Sequence, residues 1–406
     1  MASTRLLAII AILVQGLING DSHELPSFDP ELAVAKVWKL LKARAFKEAC
    51  NHNGRAMLVI PEGNFLLGSM LLSGPCTFQP PLMVQFNGNL LPQGSTSTAE
   101  NADWITFMNF NGLFISERYH QWPRREGGME GCMRWLPSKG CCKLLNHHPH
   151  SLVLRFKNLK LIKMNDVLIS GITSVNAKGF HMMISVCNNF VITNVNISAP
   201  DESPNTDGIH MSKTNKVRIS DSTIGTGDDC VSMIHGTTNV TIENVKCGPG
   251  HGFSIGSLGH YDAEFDVFGI TVRNCSLAYT ENGARIKTYR NESPSKASGI
   301  IFQDLTMDHV KNPILIDQEY ATIPGSVDSK VLISDVEFSN IRGTTISKIA
   351  VVLACSQSFP CKGITLKDIH LEYTGDPGHN EDTPFSSNCT NVKVNYIGEQ
   401  MPPPCA

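Results

Sequence analysis

Four short clusters in this 406-residue chain gather residue types that move protons and hold anions. They are Asn205-Thr206-Asp207, Gly227-Asp228-Asp229-Cys230, Gly250-His251-Gly252 and Arg285-Ile286-Lys287. Asp207 precedes Asp229 by 22 residues, and His251 follows Asp229 by 22. The step from His251 to Arg285 is 34, one such interval plus an insertion at 257–266. Arg285 and Lys287 are two apart, so on a strand both side chains leave the same face. A chain that returns to one wall at this interval brings three carboxylates, one imidazole and two cations together. Like charges held close cannot all ionise readily, so at least one aspartate is expected to have a raised pKa and to serve as an acid. A protonated acid beside ionised carboxylates is the equipment for cleaving a glycosidic bond. The two cations suit a negatively charged ring. Taken singly, Gly-Asp-Asp is a common turn and Arg-x-Lys a common solvated strand face; the shared phase is what sets these apart. The glycine-rich stretch 250–259 is not a phosphate cradle, because no Gly-Lys-Ser/Thr follows it.

A repeat supplies the element that could hold the clusters in phase. From residue 190 an eight-residue phrase recurs: apolar, any, apolar, polar, Asn or Asp, apolar, any, apolar. Copies begin at Phe190, Val217, Val240, Ile270, Ile300, Val331 and Ile364, separated by 27, 23, 30, 30, 31 and 33 residues. The copy at Val217 is imperfect, and a looser one begins at Val167. Alternation within each copy is a strand signal, and the Asn or Asp marks a turn before a second short strand. A period in this range predicts an all-β, single-domain, right-handed parallel β-helix in which stacked turns of the solenoid, called coils below, share one core. A β-sandwich of unrelated strands would not return one phrase seven times.

Composition narrows the setting. The net charge is −3, 41% of residues are hydrophobic and 17% charged, which describes a globular chain. No concentrated block of Lys and Arg offers the field that nucleic acid or a membrane surface requires. Arg5, the apolar run 6–14 and the small and polar residues up to Gly20 read as a secretory signal over 1–20. The remaining 21–406 would then be one secreted domain. Five Asn-x-Ser/Thr sequons, at Asn196, Asn239, Asn274, Asn291 and Asn388, fit that route, as do thirteen cysteines.

At this point the four clusters resemble the motifs of polygalacturonases, glycoside hydrolases that cut pectin. The longer phrases SPNTDGIH, CGPGHGFSIGSLG and NPILIDQEY are similar to the plant and pollen branch. The match is strongest over 151–389, and 21–150 is atypical. The resemblance implies an inverting mechanism on α-1,4-galacturonan in the plant cell wall, in a monomer needing neither cofactor nor metal. It casts Asp228 as the general acid, Asp207 and Asp229 as joint activators of water, and His251 as the group tuning the acid. Arg285 and Lys287 would bind the galacturonate carboxylate, with Asn205 and Tyr320 as further substrate contacts. It also implies disulfides Cys230–Cys247, Cys355–Cys361 and Cys389–Cys405, and leans toward exo cutting. A calcium-dependent pectate lyase and a wall-binding protein without activity are the competing readings.

Two segments depart from the family pattern. After Phe28-Asp29 the run 30–44 suggests a short helical cap where a strand and turn belong. Residues 117–150 lack alternating apolar positions and carry Cys132, Cys141, Cys142, His147, His148 and His150, whose spacing fits no standard zinc site. One codon choice for Arg118–Glu126, read one base later, yields Gly-Thr-Ile-Asn-Gly-Gln-Gly-Glu, which resembles the missing family strand. We therefore read 117–150 as translated out of frame, which would leave ten cysteines. Sequencing the transcript across this stretch is expected to show the shifted frame, and a transcript encoding the printed residues refutes the reading.

Overall fold

The recurring phrase becomes strand on both sides of its Asn or Asp, and that residue adopts a left-handed backbone. In the computed structural model, which describes residues 44–92, 103–117, 159–290, 293–322, 326–375 and 384–405, φ is 54° at Asn194, 50° at Asp221, 56° at Asn244 and 51° at Asn274. Asp304, Asp335 and Asp368 do the same at 52–55°. Asn and Asp tolerate this region better than other residues carrying a Cβ, which explains their choice at that place. The expected pair of short strands exists in the coil of Phe190, as Asn188–Thr193 and Asn196–Ser198. In later coils the two merge into one bent strand, such as Thr238–Cys247 or Val267–Ala278. The left-handed residue bends the strand without ending it.

Among the described residues every strand pair is parallel, and the chain forms the expected right-handed β-helix. Among the described residues a long sheet of 14 strands carries the phrase, and a second sheet of 11 strands faces it. The alternating apolar positions of both point inward and stack coil on coil. One column runs Ile219, Ile242, Val272, Phe302, Phe338, Leu366 through successive in-register pairs. Phe302 and Phe338 stack at 5.4 Å between ring centroids. The imperfect copy at Val217 puts Ser222 into this core. Its hydroxyl donates to the Ser220 carbonyl at 2.7 Å and accepts from the Val195 amide at 3.1 Å, so the polar group is satisfied. Outside the core the turn residues form a ladder, Asn244 donating to Asp221 and Asn274 to Asn244.

The three expected disulfides form, and a fourth, Cys50–Cys76, ties the helical turn that precedes the first strand to the segment leaving the first coil. Cys187 and Cys275 are buried and unpaired, so an even count of ten does not mean five bridges. The leader at 1–20 and the run 30–43 lie outside the described residues; a helical turn at 44–50 follows and buries Phe46 against Phe110. Residues 118–150 also lie outside them. Strand Asn111–Ser116 nonetheless pairs directly with Asn165–Ser170, and Ile105–Met108 with Leu159–Ile162. Both sheets therefore continue across that stretch in register.

His181 is fully buried, with Nδ1 2.7 Å from the Ser174 hydroxyl, and burial lowers its pKa to about 4. The unfolded chain takes up this proton near 6.5 and the native chain only near 4. Stability should therefore decline as pH falls between those values, by about 3 kcal/mol in total. Urea melts from pH 7 to 4 should show this slope, and His181→Asn should flatten it.

Candidate active site

The outer face of the 11-stranded sheet carries the candidate residues. Strands Ile209–Ser212, Val231–Met233, Phe253–Leu258 and Asn282–Tyr289 are successive neighbours there. Their register pairs Ile209 with Val231, Val231 with Phe253 and Phe253 with Ala284. Asp207, Asp229 and His251 each stand two residues before the first of these paired positions, so they occupy one place in three consecutive coils. Their spacing of 22 residues thus corresponds to one coil, as expected. Val231, Phe253 and Ala284 point into the core. Ser232, Ser254 and Arg285 alternate with them on the outer face, Lys287 following two residues on. His251 is held between glycines of positive φ. A Cβ at Gly250 would meet the Asp228 carbonyl at 2.6 Å, and one at Gly252 the Asn282 carbonyl at 2.1 Å.

Asp229 is the hub. It is 1% exposed. Its Oδ1 accepts from Ser254 at 2.7 Å and Arg285 at 2.6 Å, and its Oδ2 from Lys287 at 3.0 Å. Arg285 Nε also donates to the Ser254 hydroxyl at 2.9 Å. The two cations assigned from sequence to a substrate carboxylate are therefore paired at rest with an aspartate of the site. The reason is electrostatic: a carboxylate this deeply buried requires opposite charge and hydrogen bonds.

Asp207 accepts from Ser232 at 2.7 Å and lies 3.6 Å from His210, whose ring stacks on Phe180 at 4.2 Å. Burial, with the charges of Asp229 and Asp228 adding to it, pushes Asp207 above the usual carboxylate range despite those hydrogen bonds. Asp228 behaves in the opposite way. Burial would raise it, but the hydrogen bond and charge of His251 outweigh burial and hold it low. One aspartate does have a raised pKa, yet it is Asp207, not the residue cast as the acid.

His251 lies between two carboxylates, Nδ1 3.0 Å from Asp228 and Nε2 3.3 Å from Glu281. The hydrogen bond to Asp228 raises its pKa above the usual histidine range, against the opposing effect of burial. A raised pKa favours the imidazolium, whose charge faces both carboxylates. Lys311 lies 3.6 Å from Glu281 on its far side. Asn205 is exposed in the turn before strand Ile209–Ser212, with φ 53°. Tyr320 ends the next strand over, its ring 5.1 Å from Lys287 Nζ.

Ser232, Ser254, His210, Glu281 and Asp317 were not singled out from sequence. Ser232 and Ser254 are also 22 residues apart, the same interval as Asp207 and Asp229, and that repeat could have revealed them. Asp317 sits opposite Lys287 in the register, and burial raises its pKa. Donor atoms of Asp228, Asp229 and His251 lie within 4.8 Å of one another, close enough to surround a cation. Both Asp229 oxygens and the imidazole Nδ1 are, however, already engaged within the protein.

The family model for glycosyl hydrolases family 28 matches residues 50–398. An exopolygalacturonase of Arabidopsis thaliana is 41% identical over 364 residues, covering 88% of this chain and 82% of that protein. An exopolygalacturonase of Platanus acerifolia is 37% identical over 362 residues, covering 88% and 91%. Among solved structures, the exopolygalacturonase of Thermotoga maritima superposes with a TM-score of 0.65 at 18% identity, covering 88% of this chain and 87% of that one. The polygalacturonase of Erwinia carotovora does so with 0.60 at 20%, covering 93% and 99%. At such identities these structures speak to the fold alone.

Removing the hub should cost stability as well as any activity. Asp229→Ala leaves two buried cations without their paired carboxylate and is expected to destabilise the protein by about 3–5 kcal/mol. Thermal melts of this variant beside Asp228→Asn, expected to melt near wild type, check the difference.

Proposed function

The chain belongs to glycosyl hydrolases family 28 and is a polygalacturonase-type glycosidase, and from that premise we propose how its residues divide the work. The substrate is the α-1,4-galacturonan of pectin, cut with inversion. The observation that carries this reading is the stacking of Asp207, Asp229 and His251 in consecutive coils, with Asp228 hydrogen-bonded to the imidazole. The relatives named as exopolygalacturonases support exo cutting. The leader, the sequons and four disulfides support secretion to the plant cell wall.

Asp228 is the general acid. Its side chain is 20% exposed, against 8% for Asp207 and 2% for Asp229. Its hydrogen bonds, to His251 and to the Asp229 amide, fall on Oδ1, so Oδ2 is the oxygen open to a leaving group. At rest the shared proton sits on His251. A bound sugar chain displaces water from Asp228 and disfavours its charge, so the proton passes from the imidazolium to Oδ1; a half-turn of the carboxyl about Cβ–Cγ then exchanges its two oxygens and presents that proton to the glycosidic oxygen. Asp207 and Asp229 activate water on the opposite face. A raised pKa makes Asp207 the stronger base once it is ionised. Arg285 and Lys287, held by Asp229, share their charge with the ring carboxylate as it arrives, and Asn205 and Tyr320 bind the sugar beside them.

Reducing-end release from polygalacturonate tests the reading, with viscosity followed in parallel to separate exo from endo cutting. Asp228→Asn should lose turnover by about two to four orders of magnitude, since an amide cannot deliver the proton. Retention of a tenth of wild-type turnover overturns the assignment. The alkaline limb of the pH profile should fall as His251 loses its proton, with a midpoint above 6.5 because its pKa is raised. A midpoint at or below 6.5 counts against the proton's resting place.

A further inference from the structure

The face that carries the acid–base residues has a second row of side chains which they do not use. Asp207, Asp228, Asp229 and His251 sit at the N-terminal ends of the outer-face strands. The segments leaving the C-terminal ends of the same strands carry rings. Phe265 and Tyr261 are 60% and 57% exposed. The ring of His235 lies 6.4 Å from Phe265 and 6.0 Å from Tyr261. From Tyr261 the chain of contacts continues to His260 at 4.6 Å, on to Tyr289 at 4.7 Å, and to Tyr320 at 5.4 Å. Both ends of the series meet a cation: Lys213 stands 5.4 Å from the Phe265 ring, and Lys287 5.1 Å from that of Tyr320.

The loop presenting these rings is built rigidly. The Glu264 carboxylate, 8% exposed, accepts from the Gly259 amide at 2.7 Å, from His260 at 2.9 Å and from Tyr261 at 3.0 Å. The Phe265 carbonyl accepts from the Gly236 amide at 3.0 Å, which fixes the loop to the preceding coil. Two large rings are thus held in solvent by a buried acid rather than folded inward, an arrangement that marks a contact surface. Lys213 follows strand Ile209–Ser212 and Lys287 lies in strand Asn282–Tyr289, three coils further on. The series therefore spans roughly 14 Å along the solenoid axis, parallel to the acid–base row.

We propose that this aromatic rail, centred on Tyr261 and Phe265, is a sugar-binding wall for successive units of the galacturonate chain. The inference rests on the polygalacturonase reading and names surface which that reading leaves unassigned. Ring faces take the apolar C–H faces of pyranose units, and the flanking lysines meet the carboxylates on the rims. Bound at once by the rail and by the acid–base row, the sugar chain is kept from rolling about its axis. Because these contacts are the same before and during bond cleavage, they act on affinity and not on the chemical step.

Calorimetric titration of tetragalacturonate into the Asp228→Asn protein tests this. Adding Tyr261→Ala and Phe265→Ala should raise Kd about tenfold. Tyr261→Phe with Phe265→Tyr, which keeps both rings, should stay within about twofold. In the active enzyme the alanine pair should raise KM by the same factor with little change in kcat. Unchanged affinity in the alanine pair overturns the proposal, as does an equal loss in the ring-preserving pair or a loss confined to kcat. Tyr261→Ala alone, at an exposed position, serves if the double variant does not fold. If tetragalacturonate does not bind the Asp228→Asn protein and wild type releases no reducing ends, the polygalacturonase reading itself fails and takes the rail with it.

Discussion

Each coil has to return in register with the one before it, and nearly every other property follows from that. Parallel pairing at about 4.8 Å leaves no freedom to slip, because a shift of one residue would turn every inward side chain outward. The column from Ile219 to Leu366 shows the constraint satisfied in the core. The stacking of Asp207, Asp229 and His251 shows the same constraint at work on the outer face. Groups of like charge are brought within reach of one another by backbone hydrogen bonding alone, and the surrounding side chains must then accommodate them. Ser232, Ser254, Arg285 and Lys287 do so from neighbouring coils.

The electrostatics of the site give three aspartates of similar sequence context three different surroundings. Asp229 is enclosed by Arg285 and Lys287, Asp207 by Ser232 and His210 with the charges of the other two aspartates nearby, and the more exposed Asp228 faces the His251 imidazole. Burial acts on all of them, so the partners decide the outcome. The raised pKa of Asp207 and the lowered pKa of Asp228 reflect this difference. In the mechanism proposed above, a proton held on His251 at rest reconciles a low Asp228 with an acid role, because the pair, not the carboxyl by itself, carries the proton.

Much of this was legible in the sequence. The repeat announced the solenoid, since its apolar positions had to face a common core, and the Asn and Asp of each copy stood where a left-handed residue was required. Equal spacing of the acidic and histidine motifs revealed which side chains share a coil position. What could not be read was the pairing between side chains. Nothing in Arg285-Ile286-Lys287 says that both cations turn back to Asp229, because that depends on burial. Glu281 beside His251 was invisible for another reason: the insertion at 257–266 hides the coil length that relates them. Cys50–Cys76 escaped notice because both cysteines lie in 21–150, where the resemblance that implied the other three pairs is weak.

The two ends of the solenoid are finished differently. A helical turn carrying Phe46 covers the first coil. The last strand, Val392–Met401, pairs on one side only, and the chain beyond it is tied back through Cys389–Cys405. An edge strand with free amides and carbonyls is a template for further strands, so this covalent tie acts as the terminator of a polymer that could otherwise keep growing. The helical turn at the first end is tied as well, Cys50 being bonded to Cys76 beyond the first coil. Finishing the molecule as a separate particle thus depends on an oxidising environment at both ends, while the coils between are held by backbone pairing: reduction would loosen the caps before it touched the register.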